Sequence, residues 1–149
     1  MPSPRVIRIV IVDDSAFVRK TVREMLSANP AIEVVGVARD GEEALAVVAE
    51  LNPDVVTCDL QMPRLDGVGF VRKQMARRPV PILVLTAAPQ DADHVVEALN
   101  AGAVDLVLKP TALATSDLLA IREQLIEKVT GAGRAALGAL RRDPEVAIQ

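Results

Sequence analysis

Asp13, Asp14, Asp59, Thr86 and Lys109 are the side chains of this 149-residue sequence with the most chemistry to offer, and each closes an apolar run. Asp13-Asp14 follows Val6–Val12, Asp59 follows Val55–Cys58, Thr86 follows Ile82–Leu85, and Lys109-Pro110 follows Val104–Leu108. Three carboxylates gathered in one place repel one another. A single ammonium leaves about two negative charges uncompensated, so such a cluster either raises a carboxyl pKa or holds a divalent cation. A donor set of oxygens without His or Cys suits a hard ion. Few carboxylates, with positions left for waters and a phosphate, suit Mg²⁺ better than Ca²⁺. Taken alone, Asp13-Asp14 reads as a helix cap; the matching residues at three other run ends are what favour the cation.

Those residues meet only if the chain folds as a particular array. Val6-Ile7-Arg8-Ile9-Val10-Ile11-Val12 is nearly unbroken β-branched sequence, the composition of a strand covered on both faces. Val18, Val22, Met25 and Leu26 then recur at three- and four-residue intervals, the stripe of an amphipathic helix ending near Asn29-Pro30. The alternation continues. Ile32–Val37 is a second strand. Asp40 and Glu43 have the spacing of a capping box before a helix with Ala44, Leu45, Val48 and Leu51 inward, closed by Asn52-Pro53. A polar loop from Asp59 to Gly67 precedes a helix with Val68, Val71 and Met75 on one face. A helix from about Asp91 to Asn100 carries Val95, Val96 and Leu99, and Gly102 closes it. The last helix starts near Thr115 or Ser116, with Leu118, Ile121, Leu125, Ile126 and Val129 on one side.

Five β-then-α units specify an α/β fold, a doubly wound parallel (βα)5 sheet of flavodoxin-like order 2-1-3-4-5. Its ligand crevice lies beyond the carboxyl ends of the strands, where the five residues stand. Residues 1–130 form the expected domain. Residues 131–149 are Ala/Gly-rich, with Leu137 and Leu140 the only large apolar residues before Arg141-Arg142, and read as a linker or a weakly helical tail.

Composition excludes several function classes. Two Phe and no Trp or Tyr leave almost nothing to stack on bases, and a net charge of −3 provides no general attraction to phosphate backbones or anionic lipid. Direct nucleic-acid binding is not expected. No apolar run reaches the about 18 residues of a membrane span, Met1–Arg8 is too short and polar for a signal peptide, and the single Cys58 forms no internal disulfide. A cytoplasmic protein without membrane attachment is the expectation.

Val12-Asp13-Asp14-Ser15, the string Asp59-Leu60-Gln61-Met62-Pro63-Arg64-Leu65-Asp66-Gly67, Leu85-Thr86-Ala87 and Leu108-Lys109-Pro110 together resemble the four signatures of response-regulator receiver domains, over about residues 6 to 130. The resemblance implies Asp59 as phospho-acceptor, Asp13 and Asp14 with Asp59 and the backbone carbonyl of Gln61 as the Mg²⁺ site, Thr86 as the switch hydroxyl and Lys109 as the phosphoryl contact. It implies a sensor histidine kinase as donor. Chemistry agrees, because a carboxylate is a competent nucleophile for phosphoryl transfer and cations neutralise the transferring oxygens. Leu106 stands where receivers carry an aromatic residue, so no ring is available to swing with the switch hydroxyl. Gln61 and Ala88 flank the expected pocket.

Asp14-Ser15-Ala16-Phe17-Val18-Arg19, Asn52-Pro53-Asp54-Val55-Val56-Thr57, Ala101-Gly102-Ala103-Val104-Asp105-Leu106-Val107 and the helix into Glu127-Lys128-Val129 resemble more narrowly the receiver half of the chemotaxis protein-glutamate methylesterase. That resemblance implies a methylesterase catalytic domain as output partner. Ser3, Ser15, Ser27 and Ser116 are the four serines, none in a nucleophile elbow, and His94 is the sole potential base, so these residues are not expected to be an esterase by themselves. A free-standing receiver acting by protein contact is the alternative. A flavodoxin-type small-molecule module is less favoured, because its phosphate loop would be rich in Ser, Thr and Gly rather than in carboxylates. His94 reads as a surface residue, Cys58, Met25 and Met75 as core, and Arg72-Lys73 with Arg77-Arg78 as a solvated helix face.

Overall fold

The computed structural model describes residues 6–86, 92–109 and 115–148. Ser3, Ala87, Ala88, Asp91 and Pro110 lie outside the described residues. Strands and helices alternate in the order β1 Ile7–Val12, α1 Ala16–Ser27, β2 Ile32–Ala38, α2 Gly41–Leu51, β3 Val55–Asp59, α3 Gly67–Arg77, β4 Ile82–Thr86, α4 Ala92–Ala101, β5 Asp105–Leu108 and α5 Thr115–Ile148. Every strand pair is parallel and the sheet order is β2-β1-β3-β4-β5, the doubly wound arrangement expected. Val12 pairs with Cys58, Asp59 with Leu85 and Thr86 with Leu108, so the residues that close β1, β3, β4 and β5 share one edge.

The unbroken apolar runs are explained by a core on each face. Val10, Val12, Val56, Cys58, Ile82 and Val84 point to the side covered by α2, α3 and α4. Ile7, Ile9, Ile11, Val55, Leu83, Leu85 and Val107 point to the side covered by α1 and α5. Truncating a central member such as Ile9 or Leu85, both fully buried, to Ala costs about 2–5 kcal/mol. Cys58 and Met25 are buried and Met75 packs against the core, as their spacing indicates.

Caps set where the helices begin. Ser15 Oγ accepts from the Val18 amide at 3.2 Å, and Asp66 Oδ1 from the Gly69 amide at 2.8 Å. Asp40 Oδ1 accepts from the Glu43 amide at 2.8 Å, and Glu43 Oε1 reaches back to the Arg39 amide at 2.9 Å, one residue before the cap. At the other end of α2, Asn52 takes a left-handed conformation, and Arg8 Nη1 donates to the carbonyls of Leu51 and Asn52 at 2.7 and 3.0 Å.

One sequence expectation needs correction, and two further features come only from the fold. The Asp59–Gly67 segment is not a wholly polar loop, because Leu60 and Met62 are buried in the core under α2 and α3. α4 packs through Ala98, with Val95 half-buried, whereas Val96 and Leu99 are exposed. Helix α5 runs on past residue 130: Ala132 packs on the α1/α5 core, and Gly133 is buried where a Cβ would stand 2.5 Å from Ile7 Cγ2.

Candidate functional site

The sheet's carboxyl edge brings the five chemistry-bearing residues together. Asp13 is fully buried after β1, Asp59 is buried as the last residue of β3, Thr86 is buried at the end of β4, Lys109 is half-buried just beyond β5, and Asp14 is exposed at the rim. One ligand oxygen from each of Asp13, Asp14 and Asp59 lies within 4.8 Å of the others. Lys109 Nζ donates to Asp59 Oδ2 at 2.9 Å and stands 3.5 Å from Asp13 Oδ2. The Lys109 amide donates to the Thr86 carbonyl at 2.7 Å, fixing the lysine's backbone to the residue implied as the switch hydroxyl. Gln61 is exposed on the loop after β3, flanked by the buried Leu60 and Met62.

Burial is the dominant influence on these acids. The Asp13 carboxyl is pushed up to about 6 by burial, with the charges of Asp59 and Asp14 adding to the rise, while the Ser15 amide and Lys109 oppose it. Asp59 is raised for the same first reason, against the pull of Lys109 and of the Gln61 amide. Burial works against the Lys109 ammonium, yet the hydrogen bond to Asp59 and the charges of both acids outweigh it and raise its pKa. Among the described residues, the buried Asp13 Oδ2 has the 3.5 Å ion pair with Lys109 and no closer hydrogen bond. Converging carboxylates and a net negative pocket fit a hard divalent cation.

Two supports were not legible as such in the sequence. Arg19 reads as part of the polar face of α1, but its Nη1 donates to the Asp13 carbonyl at 2.8 Å and so braces the acidic turn. The Ser15 amide donates to Asp13 Oδ1 at 2.9 Å and orients that carboxylate. On the outer strand, Lys128 Nζ donates to the Leu106 carbonyl at 2.8 Å and pairs with Asp105 at 3.2 Å, tying α5 to β5. Basic residues at helical spacing are ordinary solvated positions, so only the tertiary fold reveals these partners. His94 is exposed on α4, as expected.

The sequence profile of the response regulator receiver domain matches residues 9–122. The chain belongs to the receiver-domain family. Protein-glutamate methylesterase/protein-glutamine glutaminase 5 of Myxococcus xanthus is 50% identical over 139 residues, 93% of this receiver chain and 39% of the relative. The protein-glutamate methylesterase/protein-glutamine glutaminase of Symbiobacterium thermophilum is 46% identical over 132 residues, 88% of this chain and 36% of the relative. The crystal structure of the response regulator domain of Thermotoga maritima CheB matches with a TM-score of 0.78 at 36% identity, covering 87% of this chain and 98% of that one. The chain thus spans less than half the length of these curated relatives but nearly all of the CheB response regulator domain. It is a receiver of the chemotaxis-methylesterase type, and the match is to the regulatory part of those proteins rather than the catalytic part. The flavin-binding alternative is not favoured. Among the described residues no helix is long and apolar enough to cross a membrane.

Proposed function

We propose that this receiver is a phosphorylation switch in which Asp59 accepts a phosphoryl group from a sensor histidine kinase, with Mg²⁺ held by Asp13, Asp14, Asp59 and the Gln61 carbonyl. The observation that carries the reading is the convergence of three carboxylates and Lys109 at the ends of separate parallel strands. A bound Mg²⁺ supplies counter-charge to the oxygens of the transferring group. Asp59 supplies the nucleophilic carboxylate oxygen, forming an O–P bond as the P–N bond of the donor phosphohistidine breaks. Asp13, oriented by the Ser15 amide, and Asp14, at the rim, hold the cation. Lys109 guards Asp59 as an ion pair beforehand and turns to the phosphoryl oxygens afterwards. Thr86, joined to Lys109 through the backbone, carries the change to β4 and β5.

The output in this reading is a methylesterase catalytic domain, tethered or separate, covered by the unphosphorylated receiver and released on phosphorylation. The likeness to methylesterases supports it. The domain division we propose is a receiver over residues 1–130 with 131–149 as a linker or tail, whose first turn, at Ala132 and Gly133, still packs on the receiver. A histidine kinase donor and a buried free thiol at Cys58 accord with the cytosol. The test is to mix the chain with the methylesterase domain from the same organism and assay esterase activity. The account predicts inhibition by the unphosphorylated chain, relief on phosphorylation and no relief with Asp59→Ala, with a coupling of about 1–3 kcal/mol. No effect in any state would leave a receiver serving another partner.

A further inference from the structure

The loop that carries Gln61 is anchored at both ends by its own residues: the Gly67 amide donates to the Leu60 carbonyl at 2.8 Å, and Asp66 caps α3. Leu60 and Met62 plug its inner side into the core. Its outer side is held by a different element. The Gly41 amide, at the start of α2, donates to the Leu65 carbonyl at 2.9 Å. Gly41 is buried there, and a Cβ on it would stand 2.4 Å from the Leu65 carbonyl oxygen and 2.8 Å from Leu65 Cβ and Cγ. The approach therefore requires glycine. Beside it, Asp40 uses Oδ1 to cap α2 and presents Oδ2 to Arg64 Nη1 at 3.5 Å. Arg64 has φ of +67°, a left-handed conformation that non-glycine residues adopt only when their surroundings impose it.

We propose that the turn between β2 and α2, acting through Gly41 on Leu65 and secondarily through Asp40 on Arg64, is a latch that positions the Gln61 carbonyl for the metal. Gly41, Asp40 and Arg64 are positioning residues in this role; none need touch the ion. The proposal rests on the receiver reading of the Mg²⁺ site and deepens it. The Arg64 side chain is largely exposed, so its ion pair is a weak contributor. The backbone hydrogen bond and close contact at Gly41 are buried, and they carry most of the effect. A tight latch is needed because Gln61 would contribute a backbone oxygen, which can be aimed only by fixing the loop itself, whereas a side-chain ligand could adjust by rotamer.

The test is Mg²⁺ titration followed by amide NMR shifts in wild type, Gly41→Ala and Arg64→Ala, with the remote Gly131→Ala as control. Expected are about tenfold weaker binding in Gly41→Ala, a smaller loss in Arg64→Ala and no change in the control, the size being that typical of residues supporting a metal ligand. Because Gly41→Ala risks misfolding, a second measurement uses only wild type: binding and latch closure are linked, so saturating Mg²⁺ should slow hydrogen exchange at the Gly41 amide. Unaltered affinity in a folded Gly41→Ala, or Gly41 exchange indifferent to Mg²⁺, would overturn the latch while leaving the metal site intact. A wild type that binds no Mg²⁺ would instead defeat the site reading and the latch with it.

Discussion

Lys109 Nζ lies 2.9 Å from Asp59 Oδ2, a contact between residues fifty positions apart in sequence. It makes the lysine a counter-ion to the acids rather than a ligand of the metal. Lys109→Ala should therefore keep Mg²⁺ binding, with affinity equal to or tighter than wild type, while the coupling between phosphorylation and output falls. Metal-free Lys109→Ala at neutral pH should be destabilised, by about 1–3 kcal/mol, since two buried carboxylates lose their partner. Calorimetric titration and urea melts check both; loss of Mg²⁺ binding would contradict the assignment.

The raised carboxyls set a pH dependence of definite sign. Asp13, displaced from 3.8 to about 6, binds its proton more tightly in the folded than in the unfolded chain. Its stabilising contribution is complete below about pH 4 and is lost as pH climbs through about 6, an effect of about 3 kcal/mol at the upper limit. Asp59 shifts in the same direction. Without Mg²⁺, the urea midpoint should fall between about pH 4 and pH 7, and Asp13→Asn should flatten that fall. Stability rising across the window would contradict the burial account of Asp13.

Thr57, two residues before Asp59, is fully buried and its hydroxyl has no hydrogen-bond partner among the described residues. Thr57→Val replaces it with an isosteric apolar side chain and should raise stability by about 1 kcal/mol with Mg²⁺ affinity unchanged. A thermal melt and a metal titration on the same sample decide it; a loss of stability would mean that the hydroxyl is satisfied in solution.

Gly131 and Gly133 lie two residues apart in α5 and should respond oppositely. A Cβ at Gly131 meets open space, so Gly131→Ala should stabilise by about 0.5–1 kcal/mol through helix propensity. At Gly133 the new methyl meets Ile7, so Gly133→Ala should gain nothing or destabilise. Equal stabilisation by both would show that this part of α5 does not pack on the sheet.

What the sequence disclosed and concealed follows from the physics of each feature. Parallel topology places the ends of successive strands on one edge, so Asp13, Asp59, Thr86 and Lys109 were legible from the apolar runs they close. Leu60 and Met62 were concealed because a polar stretch does not show which of its residues turn inward. Which apolar side chains of α4 face inward has no clear periodic signal: the helix reaches the sheet through the small Ala98 and leaves Val96 and Leu99 exposed. The Gly41–Leu65 and Arg19–Asp13 contacts end on backbone carbonyls, which have no sequence signature. Helix α5 continues past residue 130 because packing of Ala132 and Gly133 on the sheet overrides the weak helix propensity of glycine.

The central claim is that Asp59 is the phospho-acceptor, and the measurement that tests it most directly is acetyl phosphate labelling in the presence of Mg²⁺, with the modified residue located by peptide mass mapping. The account predicts one acid-stable, base-labile phosphate on Asp59 in wild type, abolished by Asp59→Ala and by removal of Mg²⁺. Equal labelling of Asp59→Ala, or a phosphate mapped to another residue of the wild type, would contradict it.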